Sequence, residues 1–317
     1  MLRILLLTVS LLSMNRVINA QSSSKNSSYR NNDSLQLQIL INEINGLKLQ
    51  LQNQQQSGFA TFSTAAFFID AAIGSANNLQ SLILKKSYRN KIASLNNPTS
   101  NELVFNLEME IQNALKPLMA KAHKTNTSKF SQVVSTFMNT GKSTLSLFPA
   151  GNLFTSIVSM AGNLTVKEKS IDQQDLDSFI KSIEKYFNQY ERLCQSNLVF
   201  NTDMEKLKIR LGLLQDDIKL LIQDLIIAMD KTQKREQLKY RSNEDLMLTY
   251  FDNKKMQEHF NKAGSFKILF PPDAIKTCKE IANNIKRIND DYSTVYNSNF
   301  KEIKSIISDT KKCRFGS

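Results

Sequence analysis

The chain has no tryptophan, and among its 317 residues there are only five prolines, nine glycines, three cysteines and two histidines. Each scarcity excludes something. So few breakers leave little material for the turns that a β-sandwich or barrel needs. The abundant Leu, Ile, Lys, Gln and Asn favour helix instead. Two histidines far apart, His123 and His259, make a zinc site improbable, and no cysteine spacing suggests one. Cys194, Cys278 and Cys313 are an odd set, so in an exported monomer at least one stays unpaired. Cys278 and Cys313, on one straight helix, would sit about 52 Å apart and could not bridge. A bridge from Cys194 to either remains open across neighbouring helices.

Charge is present in excess, and the net charge of +12 is distributed unevenly. The first 20 residues carry Arg3, the apolar run Ile4 to Leu12, and Ala20 before Gln21. That order reads as a secretory signal, cleaved after Ala20. Its apolar run is too short to span a bilayer, which takes roughly 20 residues. Export makes nucleic acid an improbable partner, and a basic surface then suits an anionic lipid or another polyanion. Residues 21–34, rich in Ser and Asn, read as a disordered polar leader, and 35–317 as a single elongated helical domain. Sequons begin at Asn26, Asn32, Asn126 and Asn163 and matter only in a eukaryotic secretory route.

Helical periodicity runs through most of the chain beyond the polar leader. Leu37, Leu40, Ile44, Leu47 and Leu51 recur at 3-4 spacing, a coiled-coil seam. Phe59 to Leu84 has Asp70 as its only charge and many small residues. At about 39 Å as a helix it could cross a bilayer, or it could be a central helix apolar nearly all round. After the loop at Asn96 to Ser100, Leu103, Leu107, Ile111, Leu115 and Leu118 mark a helix capped by Ser100 or Asn101 and kinked at Pro117. Asp172 to Ser196 is predicted as one helix, and Asp203 as the cap of another with Leu207, Leu211, Leu214, Ile218, Leu221, Leu225 and Met229 on its stripe. That second helix is expected to continue to about Lys262. Pro271-Pro272 breaks the chain before a last helix from Asp273, with Ile281, Ile285, Ile288, Tyr292, Tyr296, Phe300, Ile303 and Ile307 on its stripe. The expected fold is all-α: an elongated bundle of long antiparallel helices with coiled-coil-like packing around a central hydrophobic hairpin.

That hairpin has Phe130 to Phe148 as its rising arm, the Pro149 turn as its tip and Asn152 to Val166 as its return, and within it Ser143 to Val166 carries no charge in a lysine-rich chain. Pro149 to Asn152 makes a turn inside it. Leu153, Phe154, Ile157, Val158 and Leu164 share one face, while Thr155, Ser156 and Ser159 form a polar, uncharged one. The return arm alone, at about 22 Å, is too short to span a bilayer. The candidate membrane-inserting residues are therefore Leu145, Leu147, Phe148, Pro149, Leu153, Phe154, Ile157, Val158, Met160 and Leu164.

Catalytic motifs are lacking. There is no His-Glu-x-x-His, no Gly-x-Ser-x-Gly and no neighbouring cysteine and histidine. Gly141-Lys142-Ser143-Thr144 matches the end of a phosphate-binding loop, but Thr136 stands where its first glycine belongs. No enzyme activity and no cofactor are expected.

In layout the chain resembles the α-helical pore-forming toxins of the cytolysin A and haemolysin BL type. The likeness lies in arrangement over most of the mature chain: long helices, with a hydrophobic tongue at mid-chain. It implies membrane insertion and ring-shaped assembly, with a lipid membrane and further copies or a second protein component as partners. The alternative is a non-lytic exported scaffold or binding protein of the periplasm or cell surface.

Overall fold

In the computed structural model, the residues described are 38–49, 58–95, 106–121, 155, 157–159, 162–163, 172–262 and 268–315. They form an all-α bundle with no strand among them. In chain order the helices are α1 (38–49), α2 (Gly58–Ile83), α3 (Lys86–Leu95), α4 (Leu107–Lys121), α5 (Gln173–Met229), α6 (Arg235–Leu238), α7 (Asn243–Tyr250), α8 (Asn253–Lys262) and α9 (Ala274–Phe315). The chain divides into two compact units. One comprises Met1–Ile83 with Leu207–Asp291, the other Leu84–Lys206 with Tyr292–Ser317.

In the first unit, α2 packs on α7 and α8. Phe62 is fully buried and meets Phe260 and Phe270 edge-on, with centroids 5.5 and 5.2 Å away, and Phe59 meets Phe260 at 5.7 Å. Gly58 opens α2 where the chain passes close. A Cβ there would meet the Ile268 carbonyl at 3.1 Å and the Phe260 ring at 3.2 Å. Leu40, Ile44 and Leu47 of the expected seam are buried, while Leu37 and Leu51 lie outside the described residues. The C-terminal half of α5 buries Leu207, Leu211, Leu214, Ile218, Leu221, Leu225 and Met229, the stripe read from the sequence. Its Arg210 pairs with Asp291 of α9, and Asp217 faces Glu280 further back along α9, so the two helices run antiparallel.

In the second unit, α4 buries Leu107, Ile111, Leu115 and Leu118. Asn106 caps it, its side chain accepting from the Met109 amide at 3.1 Å, while Ser100 and Asn101, the expected caps, lie outside the described residues together with Leu103. The helix runs through Pro117 to Lys121, whose ammonium bonds Asp175 at 2.6 Å. Asp172 and Asp175 close the start of α5 reciprocally, each carboxylate accepting the other's backbone amide. Arg192 of α5 joins Glu302 and Asp309, and one turn further on Ser196 meets Asn299. These contacts descend α9 as they climb α5, so the pair is antiparallel here too.

Two expectations about boundaries are corrected. The helix predicted to end at Ser196 and the one predicted to start at Asp203 are a single helix, α5, of 57 residues. Asn201 spends its amide on Asn197 inside the helix, the Asp203 carboxylate binds the Lys206 side chain, and buried Phe200 and Met204 carry the packing across the join. The expected continuation to Lys262 does not occur either. The helix ends at Met229 and α6, α7 and α8 follow as short pieces. Asp230, Ser242 and Asp252 each accept backbone amides just downstream, from Thr232, Asp245 and Lys254, and so open a turn or a new helix.

Candidate membrane-interaction segments

Of the ten candidate inserting residues, Leu145, Leu147, Phe148, Pro149, Leu153, Phe154, Met160 and Leu164 lie outside the described residues. The two described are helical. Ile157 is fully buried and Val158 half-buried, while Thr155 and Ser159 are exposed. The alternation expected of an amphipathic arm is therefore present at those positions.

The other low-charge stretch is described in full. It is α2, 26 residues, and among the described residues it alone is long and apolar enough to cross a membrane. It is not apolar all round, as a central helix enclosed by protein would be. Phe62, Ala65, Phe68, Ile69, Ala72, Ile73, Ala76, Leu79 and Ile83 form a buried side. Phe67, Asp70, Gly74, Asn77 and Ser81 recur at 3-4 spacing on an exposed one, with Phe67 at 61%. Within the helix, Thr64 and Ser75 donate their hydroxyls to the carbonyls of Ala60 and Ala71, so the buried Ser75 hydroxyl has a partner one turn back.

In the second unit, Tyr88 of α3 anchors a polar and aromatic cluster that the sequence did not announce. Its hydroxyl donates to Asn299 Oδ1 at 2.8 Å, and Asn299 Nδ2 donates to the Ser196 hydroxyl at 2.9 Å and carbonyl at 3.1 Å. Phe200 and Tyr296 flank the ring at 5.3 and 4.5 Å. Burial, with Tyr296 and Tyr292 close by, pushes the Tyr88 hydroxyl far above its ordinary value, and burial lifts Tyr292 to about 12. These phenols serve as donors and packing surface, not as acids. Beside them lies an open groove of about 710 Å³, lined by Arg192, Gln195, Val199, Phe200, Val295 and Asn299 among others. Its Arg192 is already engaged by Glu302 and Asp309.

Groups capable of chemistry are held quiet. Cys194 and Cys278 are free thiols, and burial raises them to about 11 and about 12. At neutral pH both stay protonated and are poor nucleophiles. Cys313 shares α9 with Cys278, as the one-helix reading required, and its side chain lies outside those described. His259 stacks on Tyr250 at 6.0 Å, and His123 is outside the described residues. Asp230 is held below the ordinary carboxylate range: burial alone would raise it, but hydrogen bonds from Thr232 and Gln233 outweigh that. Among the described residues no three His, Cys, Asp or Glu side chains converge as metal ligands would.

Compared with protein-family models, curated proteins and solved structures, the chain matches none.

Proposed function

We propose that this is an exported helical protein that inserts its uncharged segment, residues 143–166, into a target membrane, acting as copies of itself or with a second protein component. The observation that carries the reading is the charge map. Twenty-four consecutive residues without a charged side chain sit in a chain of net charge +12. The buried Ile157 beside exposed Thr155 and Ser159 supports it, because an arm stowed with its apolar face against protein has that profile. Release to a bilayer would exchange those protein contacts for lipid, and surface lysines would draw the chain to anionic headgroups. Helix α2 is the weaker inserting candidate, since Asp70 at the bilayer centre would cost roughly 3 kcal/mol.

The second reading, a non-lytic scaffold or binding protein, is favoured by the packing of α2. Its apolar side is buried from Phe62 to Ile83, and Phe62 is engaged by ring contacts with Phe260 of α8 and with Phe270. Dye release from vesicles decides between them. The mature chain should empty vesicles containing anionic lipid, and a chain lacking residues 143–166 should not. Intact vesicles at every lipid composition reject insertion and leave the scaffold.

A further inference from the structure

The open groove between α5 and α9 offers apolar surface and no spare donor. Val199 stands 50% exposed on its wall, beside Phe200 and Val295. Asn299 spends its amide on Ser196 and accepts from Tyr88, so the floor is already satisfied. The rim is acidic even when every internal pair is counted. Arg192 is shared by Glu302 and Asp309, Asp203 is matched by Lys206, and Glu191 enters no ion pair among those described. Four carboxylates thus stand against two cations.

The chain carries a segment of matching chemistry on a tether of matching length. Helix α4 ends at Lys121, whose ammonium bonds Asp175 in the first turn of α5, and the described chain resumes in full at Asp172. The 50 residues between leave and return at the same end of α5. Laid helical along α5, a hairpin of that length extends about 25 residues, or ~37 Å. Its tip, the Pro149 turn, then comes level with Val199. The rising arm has an apolar stripe of Phe130, Val134, Phe137, Leu145 and Phe148 at 3-4 spacing, with Gly141 in its gap. Lys142 is the one charged residue from Phe130 to Val166, and seven residues below the tip it falls level with Glu191. No carboxylate occurs from Ile111 to Lys167, so nothing in the hairpin opposes the rim. We propose that this groove is the seat of the rising arm in the water-soluble protein, with Phe148 against Val199 and Lys142 beside Glu191. Ile157 on the return arm is buried, as an arm held on protein requires. The seat deepens the reading above by naming where the hairpin is stowed, and it rests on that reading only for the arm's release to lipid.

Because the chain has no tryptophan, Phe148→Trp installs a single reporter on the full mature chain. In buffer without lipid its emission should be blue-shifted from that of the urea-unfolded chain. Val199→Asp should return it toward red while thermal unfolding stays cooperative. Glu191→Lys and Lys142→Glu should each do so in part, and the double swap should restore the blue emission. Hydrogen exchange needs no reporter: amides 137–148 of the unsubstituted chain should be protected, and Val199→Asp should speed their exchange at least about tenfold. Red emission before any groove substitution, protection that Val199→Asp leaves unchanged, or a double swap no better than its singles would overturn the seat. A blue shift that appears only as protein concentration rises gives the groove to a second copy and overturns it too. A chain that passes these tests yet never empties vesicles keeps the seat and loses insertion.

Discussion

Two neighbouring charged stretches, α5 and the segment 230–262, begin from similar material and end differently. Both are rich in Lys, Asp, Gln and Leu, and neither contains proline or a run of glycines. One is an unbroken helix of 57 residues; the other is α6, α7 and α8 with turns between. The contrast lies in what the short polar side chains bind. Asp203 in α5 accepts from a lysine side chain one turn on, which leaves the backbone ladder intact. Asp230 and Asp252 accept backbone amides two residues on, which turns the chain. Packing decides which option is taken. Along α5 a buried apolar residue recurs at nearly every turn, through Met204, Leu207 and Leu211 up to Met229. After Met229 the next buried apolar residue is Leu238, so nothing rewards continuing the helix across that gap.

If that account holds, the short helices owe their place to tertiary contacts and α5 owes much less to any single one. Replacing Phe62 by Ala removes the ring between Phe260 and Phe270 and should cost about 3–5 kcal/mol. Chemical denaturation should report that loss, and hydrogen exchange should show 253–262 opening first. Tyr88→Phe is the corresponding test on α5 in the other unit. It leaves the buried Asn299 carbonyl oxygen without its donor and should cost about 1–3 kcal/mol, while the circular dichroism of the long helices stays unchanged. The smallest effect is expected from Ser242→Ala, which deletes the cap of α7, at about 1 kcal/mol. A larger loss than that from Phe62→Ala would mean that caps, not packing, hold the segment 230–262.

The same contrast explains what could be read in advance. The stripes of α4, α5 and α9 were legible because burial follows period: Leu107 to Leu118, Leu207 to Met229, and Ile281 to Ile288 are all in the core. The break at Pro271-Pro272 was legible because proline has no amide to give. The breaks at Asp230, Ser242 and Asp252 were not, since Asp and Ser stand inside helices as readily as at their ends and only the geometry assigns their oxygens. The Tyr88–Asn299–Ser196 cluster was hidden for another reason. It joins residues 211 and 103 positions apart in sequence, and no local pattern encodes such a pair. Of the proposed inserting residues, the two described, Ile157 and Val158, are helical, the first fully buried and the second half-buried.

The two quiet thiols give the protein a built-in clock and a reference for it. Cys278 belongs to one unit and is fully buried, so it is out of reach of alkylating reagents while that unit stays closed; Cys194, in the other unit, is half-buried and slowed by its raised pKa. The rate at which Cys278 takes up a label therefore times the opening of its own unit, with no engineered probe, and Cys194 gives the faster reference.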